Sequence, residues 1–445
     1  MDLTALIPGF GNFAFTIVAF VIALSVIVAI HEYGHYIVGR WSGIHAEVFS
    51  LGFGPVLWSR IDKRGTRWQI AALPFGGYVK FLGDSGAASG KDGETISRLS
   101  EEELRHTMHG APLWARFLTV LAGPVFNFIL AIIVFSGLAI WSGVASYPPV
   151  IEKLYDLPSR EYGLKEGDRL VAINGIPFPK EEEAANFLDT VPDAPALDYT
   201  VMRDGQEITV KGPPLSPPRV AYVNPGWAAE KAGLKEGDVI LEIGGQQVYS
   251  FDQMIPLINQ TKGKPTPLKI WRDGKIVELT LQAQKRDLPK ADGSFETRYV
   301  IGVSGGFFYE PAADRTGPLQ ALQIGAKQTW KVIRQSVSGL YHMVAGKISS
   351  CNMSGPVGIA KASGQMASQG VDSFIYFIAL LSAAVGLLNL FPIPVLDGGH
   401  LVFFAWEAVT GAPPSDKALN LLMTVGLVLV LSVMVFALSN DFLCP

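Results

Sequence analysis

Two histidines flank a glutamate in His31-Glu32-Tyr33-Gly34-His35. Positions four apart share one face of a helix, so both imidazoles can reach a single zinc ion, Zn2+. The glutamate between them is placed to take a proton from a water that zinc acidifies to a pKa of about 7. His-Glu-x-x-His also arises by chance on soluble helices, so its surroundings decide its meaning. Here it continues an uncharged apolar run, Phe13 to Ile30. An ionisable group at mid-bilayer costs at least about 2.5–3.5 kcal/mol, so groups retained there are functional by default. A catalytic zinc takes three protein ligands and keeps a position open. Asn389-Leu-Phe-Pro392-Ile-Pro394-Val-Leu-Asp397-Gly398-Gly399-His400 offers the third at the end of another apolar run. Two prolines break the helix there, and broken backbone at membrane depth is tolerated where it lines a cavity. Asp397 is preferred to its rival His400 because it follows the break. The chemistry implied is hydrolysis, with His31, His35 and Asp397 holding the metal and Glu32 as general base.

The elements that must position these groups are membrane spans. Only 17% of the 445 residues are charged and 49% are apolar, with a mean hydropathy of +0.29; soluble domains carry roughly 25% charge. A bilayer core needs about 20 apolar residues as helix. Four runs qualify: Phe13 to Ile30, Phe117 to Ala145, Phe374 to Leu396 and Leu421 to Leu438. The first lacks the basic start and small-residue cleavage site of a signal peptide. After it come Arg40, Arg60, Lys63, Arg64, Arg67, Lys80, Lys91, Arg98 and Arg105, and positive-inside bias assigns that stretch to the cytosol. The N-terminus, the segment from about 146 to 372 and the C-terminus then lie on the far side, the periplasm in a bacterium. Arg40 marks the cytosolic end of the first span, nine residues past His31, or about 13 Å along a helix. Asp397, late in a run entering from the far side, falls in the same cytosolic half. A net charge of −4 gives no nucleic-acid footprint, and two cysteines provide neither a disulfide framework nor a thiolate metal site.

The far-side segment repeats itself. Gly163-Leu-Lys-Glu-Gly-Asp168 recurs as Gly233-Leu-Lys-Glu-Gly-Asp238, and Arg203-Asp-Gly205 as Arg272-Asp-Gly274. An apolar strand follows the first landmark and a hairpin turn forms at the second. The unit resembles a permuted PDZ domain of periplasmic proteases, with the Pro-rich run Gly212 to Pro218 between copies. Ahead of the copies stand different loops, Asp156-Leu-Pro-Ser159 and Asn224-Pro-Gly-Trp227. Beyond them, Leu319, Leu322, Ala326, Trp330, Ile333, Val337, Leu340, Val344 and Ile348 form an apolar stripe with Lys327, Lys331, Arg334 and Lys347 on other faces. That pattern suits a helix on the membrane surface or one packed on the repeats. On the cytosolic side, Val48 to Trp58 and Arg67 to Phe81 read as a hairpin interrupted by Gly52-Phe53-Gly54-Pro55 and Pro74-Phe-Gly-Gly-Tyr78. Glycine within a strand marks close approach of another backbone.

These residues together resemble the site-2 protease family of intramembrane metalloproteases, over nearly the whole chain. The resemblance implies an α-helical membrane protein of four spans, with a cytosolic-side re-entrant β-hairpin and two periplasmic PDZ-like α+β domains. The divisions are 1–145 with the first two spans and the hairpin (about 46–83), 146–216 and 217–308 as the PDZ-like pair, 309–372 as the membrane-surface helix region, and 373–445 with the last two spans. His31, Glu32 and His35 match the family's metal motif, and Asp397 its Leu-Asp-Gly. Asn389 matches an asparagine that contacts substrate backbone or the oxyanion. Gly52, Phe53 and Gly54 match a hairpin that holds substrate as an added strand. Gly123-Pro-Val-Phe-Asn127 matches a second-span motif with an expected packing role. The implied partners are the lipid bilayer and single-span proteins trimmed outside the membrane, such as anti-sigma factors and remnant signal peptides, in the bacterial inner membrane. A membrane zinc transporter would share the ligands but not need Glu32 as a base. An idle PDZ scaffold would not need intact ligands.

Overall fold

A helix satisfies its own backbone hydrogen bonds, which makes it the stable form of an apolar run in lipid. The computed structural model describes residues 7–86, 93–158, 162–179, 187, 190–224, 226–290 and 294–443. Its long helices are α1 (Ile7–Trp41), α2 (Leu113–Ser142), α3 (Pro318–Val344), α4 (Pro356–Ser368), α5 (Val371–Asn389), α6 (Asp397–Thr410) and α7 (Asp416–Leu443). Among the described residues, four helical stretches are long and apolar enough to cross a membrane: Phe13–Trp41, Leu113–Ser142, Val371–Asn389 and Asp416–Leu443. The third stops short of the expected Leu396. Pro392 and Pro394 lack backbone N–H groups, and the chain turns through Ile393 N–H to Phe391 C=O and Leu396 N–H to Ile393 C=O before α6 begins.

The chain divides into two compact units, one of residues 1–141, 317–344 and 349–445 and the other of 142–316 and 345–348. In the first, β1 (Ala46–Ile61) and β2 (Arg67–Phe81) form the hairpin. Both strands bend at their glycine interruptions, so residues 48–51 face 77–80 on one side and 67–70 on the other. Gly52 has φ of 87°, which favours glycine, and a Cβ there would stand 2.7 Å from the Leu73 carbonyl oxygen. At the turn, the Arg64 and Thr66 N–H groups and Trp68 Nε1 donate to the Asp62 carboxylate. Burial works to raise that carboxyl's pKa, but the donors outweigh it and hold it below the usual range.

Helix α3 does not bury the stripe of large apolar residues. Leu319, Leu322, Trp330 and Val337 are exposed, and the buried face is Ala321, Gly325, Thr329 and Val332. Small residues let backbones approach: a Cβ at Gly325 would stand 2.5 Å from the Ile132 carbonyl oxygen of α2. At the end of α7, Asp441 accepts from the N–H groups of Gly355, Val357 and Gly358, capping α4. Cys351, nearby in the chain, is disulfide-bonded.

The second unit holds two matching four-stranded antiparallel sheets. Their orders are 176–177, 169–173, 197–203, 206–212 in the first copy and 246–247, 239–243, 265–272, 275–282 in the second. Helix Phe251–Gln260 packs Met254 and Ile258 into the second core. The repeated landmarks meet: Arg203 Nε and Nη2 donate to Asp168 at 2.7 and 2.6 Å, and Arg272 does the same to Asp238 at 2.7 and 2.7 Å. The first core is completed late in the chain. Phe308 and Tyr309 pack into it, and strand 309–311 pairs with 151–154 after the second copy has closed through 303–304 on 222–223. Of the two dissimilar loops, Ser159 and Pro225 lie outside the described residues.

Candidate metal centre

The metal motif occupies the last turns of the long apolar helix α1, where His31 and His35 share a face. Their Nε2 atoms are 3.2 Å apart. Asp397 opens α6, and its carboxylate oxygens lie 3.1 Å from His31 Nε2 and 3.5 Å from His35 Nε2. Zinc bonds of about 2.0–2.1 Å in tetrahedral geometry set donors roughly 3.3–3.4 Å apart, and the two Nε2 atoms stand close to that spacing, with one carboxylate oxygen beside each of them. Asp397 Oδ2 is buried and takes no hydrogen bond despite its approach to His31. A buried carboxylate oxygen that stands beside an imidazole nitrogen without a hydrogen bond fits a cation held between them. Among the described residues this is the one cluster of three or more such side chains with metal-binding spacing. His400 is outside it, one turn along α6 with its ring edge-on to Phe403.

Asp397 reaches the histidines because the loop before it folds back onto the start of α6. A Cβ at Gly398 would collide with the carbonyl oxygens of Leu390 and Phe391, and one at Gly399 with that of Ile393. The two glycines therefore begin the helix under a tightly apposed loop, rather than ending one. Further along, Arg116 of α2 grips Glu407 of α6 with two hydrogen bonds, of 3.0 and 2.6 Å. A bidentate guanidinium–carboxylate pair fixes orientation as well as distance.

Helix α2 presents one continuous face to the site. Thr119 accepts from His35 Nδ1 through its backbone carbonyl at 2.8 Å. Gly123 leaves room for the rings: a Cβ there would collide with His35 Nε2 and stand 2.9 Å from His31 Cε1. Asn127, fully buried, brings its side-chain amide to 3.2 Å from His31 Nδ1. Its own carbonyl accepts from Ser382 of α5 at 2.9 Å. Sequence reasoning named this motif but gave it only packing. A buried asparagine within an apolar span was the available signal of more.

Glu32 points toward the hairpin. A Cβ on Gly77 would stand 3.3 Å from Glu32 Cγ. Gly77 of β2 thus lies beside the candidate base. Gly52, Phe53 and Gly54 lie on the facing strand, where Phe53 stacks on Tyr78 with centroids 5.9 Å apart. Asn389 ends α5 just before the break, partly buried. The geometry therefore unites His31, His35 and Asp397, and sets β2 of the hairpin against Glu32.

Comparison with known proteins gives a consistent result. The sequence profile of peptidase family M50 matches residues 19–433. A candidate zinc metalloprotease of Rhizobium meliloti is 34% identical over 97% of this chain and 97% of its own length. One from Agrobacterium fabrum is 36% identical over 96% of this chain and 95% of its own length. The regulator of sigma-E protease RseP of Salmonella typhimurium is 32% identical over 95% of this chain and 97% of its own length.

Proposed function

The chain belongs to peptidase family M50, the site-2 proteases, and we propose that it cuts peptide bonds within single-span membrane proteins using His31, His35 and Asp397 as zinc ligands and Glu32 as general base. Membership makes it an intramembrane zinc metalloprotease. The observation that carries the residue assignment is the convergence of two Nε2 atoms 3.2 Å apart on the Asp397 carboxylate, one oxygen beside each ring and one of the two without a hydrogen bond.

Zinc, when bound, supplies Lewis acidity toward the scissile carbonyl and toward water. The Glu32 carboxylate takes a proton from the attacking water and returns it to the leaving amine nitrogen. A helical substrate hides its carbonyls, so it must be unwound first. Strand addition along the hairpin holds the unwound piece through main-chain hydrogen bonds. The approach of Gly77 to Glu32 supports that role, with Gly52, Phe53 and Gly54 shaping the hairpin and Asn389 contacting substrate backbone or the oxyanion.

We read the two repeated modules as a PDZ-like pair on the periplasmic side of a bacterial inner membrane, excluding substrates whose outer domains are untrimmed. Anti-sigma factors and remnant signal peptides are the substrate types proposed, in regulated intramembrane proteolysis. Purified protein is expected to hold about one zinc per chain, and Asp397→Ala to lose most of it by elemental analysis. Full zinc in that variant removes Asp397 from the ligand set.

A further inference from the structure

We infer that Asn127 is a positioning residue for the metal site, its side-chain carbonyl accepting a hydrogen bond from His31 Nδ1–H and so fixing the tautomer that leaves Nε2 free for the ion. This rests on the ligand assignment above. Both Nε2 atoms face Asp397 and each other. A neutral imidazole has one N–H, so a ring that offers Nε2 to a metal carries its proton on Nδ1. For His35 that proton has an acceptor, the Thr119 carbonyl at 2.8 Å. For His31 the neighbour is Asn127, whose Nδ2 stands 3.2 Å from Nδ1. Two N–H donors cannot bond one another. Meanwhile Asn127 Oδ1 is buried with no partner.

One half-turn of the amide removes the donor–donor conflict and gives Oδ1 a partner, because it brings Oδ1 to Nδ1–H and moves Nδ2 to the position that Oδ1 leaves. Amide oxygen and nitrogen are told apart by such networks. The amide's orientation and the His31 tautomer are therefore one choice. With nitrogen facing the ring, Nδ1 is the acceptor and Nε2 holds the proton; with oxygen facing it, Nε2 is the free donor to metal. Asn127 is held firmly in place, since its side chain is fully buried and Ser382 of α5 donates to its backbone carbonyl. The two metal-ligand rings are thus oriented from one face of α2, by a main-chain carbonyl for His35 and a side-chain carbonyl for His31.

The test is zinc affinity of the purified full-length protein, read by chelator competition. Asn127→Leu keeps the shape and removes the acceptor; affinity is expected to fall about 10–100-fold, as for other outer partners of ligand histidines. Asn127→Asp keeps an acceptor and is expected to hold zinc within a few-fold of the parent. A packing role alone does not distinguish the two in this direction. Wild-type affinity in Asn127→Leu, or an equal loss in both variants, overturns the inference. In cobalt-loaded protein, a second readout that does not depend on Asn127→Leu folding, Asn127→Asp is expected to move one of two shifted histidine N–H resonances and leave the other. Both unmoved also overturns it. Failure of the ligand assignment itself shows differently, as full zinc retention in His31→Ala.

Discussion

At the scale of single residues, the site depends as much on what is small as on what binds. Gly123 faces both imidazoles, and any side chain there meets His35 and His31 directly. Gly123→Ala is therefore expected to lower zinc affinity at least about tenfold, the scale on which outer contacts tune metal sites, with the helices intact by circular dichroism. Unchanged affinity in chelator competition contradicts that geometry. The meeting of His31 and His35 was legible in the sequence because helical spacing alone brings positions 31 and 35 together. Asp397 was legible from the proline break, which explains why an acid stands in an apolar run. Thr119 was not, since it acts through a backbone carbonyl that any residue carries. Gly123 and Asn127 required knowing that α2, not another span, backs the two rings.

At the scale of elements, helix α2 acts as the spine of the centre. Arg116, Thr119, Gly123 and Asn127 follow one another on one face and meet α6, His35, both rings and His31 in turn. The four spans and the hairpin were readable from hydropathy and strand pattern. The buried face of α3 was not, because sequence reasoning follows large apolar residues and this helix buries small ones. The repeat in the second unit was readable, while its cause was not: the aspartate of one landmark is the buried partner of the arginine in the other. Asp238 is 1% exposed, so removing Arg272 leaves a carboxylate buried and unpaired. Arg272→Ala is expected to destabilise the second module by about 3 kcal/mol, the low end for a buried pair because the guanidinium is partly exposed. Hydrogen exchange on the full chain measures it as lost protection in 239–243 and 265–272, which Asp238→Leu with Arg272→Leu should partly restore. Equal protection in Arg272→Ala and the parent shows that the pair is not holding the sheet.

At the scale of the molecule, residues 142–316 of the second unit are inserted in the chain between α2 and α3. The insert's two ends lie side by side, Val144 and Ala145 pairing with Asp314 and Ala313. Residues 144–314 can therefore be replaced by a short linker, a cleaner cut than one ending at 308, which strands the segment 309–311 that pairs with 151–154. If the modules filter substrates by size, the excised enzyme is expected to cleave a single-span substrate that keeps its outer domain, and to cleave the trimmed form as before. Loss of trimmed-substrate cleavage with normal zinc points instead to capture of a new C-terminus. The central claim is that peptide hydrolysis occurs inside a span and depends on Glu32. It is tested most directly by mass spectrometry of fragments from a single-span substrate, reconstituted in liposomes with the parent enzyme or with Glu32→Gln. The expected result is a cut within the substrate's apolar run by the parent. Glu32→Gln, carrying the same zinc, is expected to lose more than the roughly 10²–10⁴-fold of general base catalysis alone. A cut only outside the apolar run, or the same intramembrane cut by Glu32→Gln at a comparable rate, contradicts it.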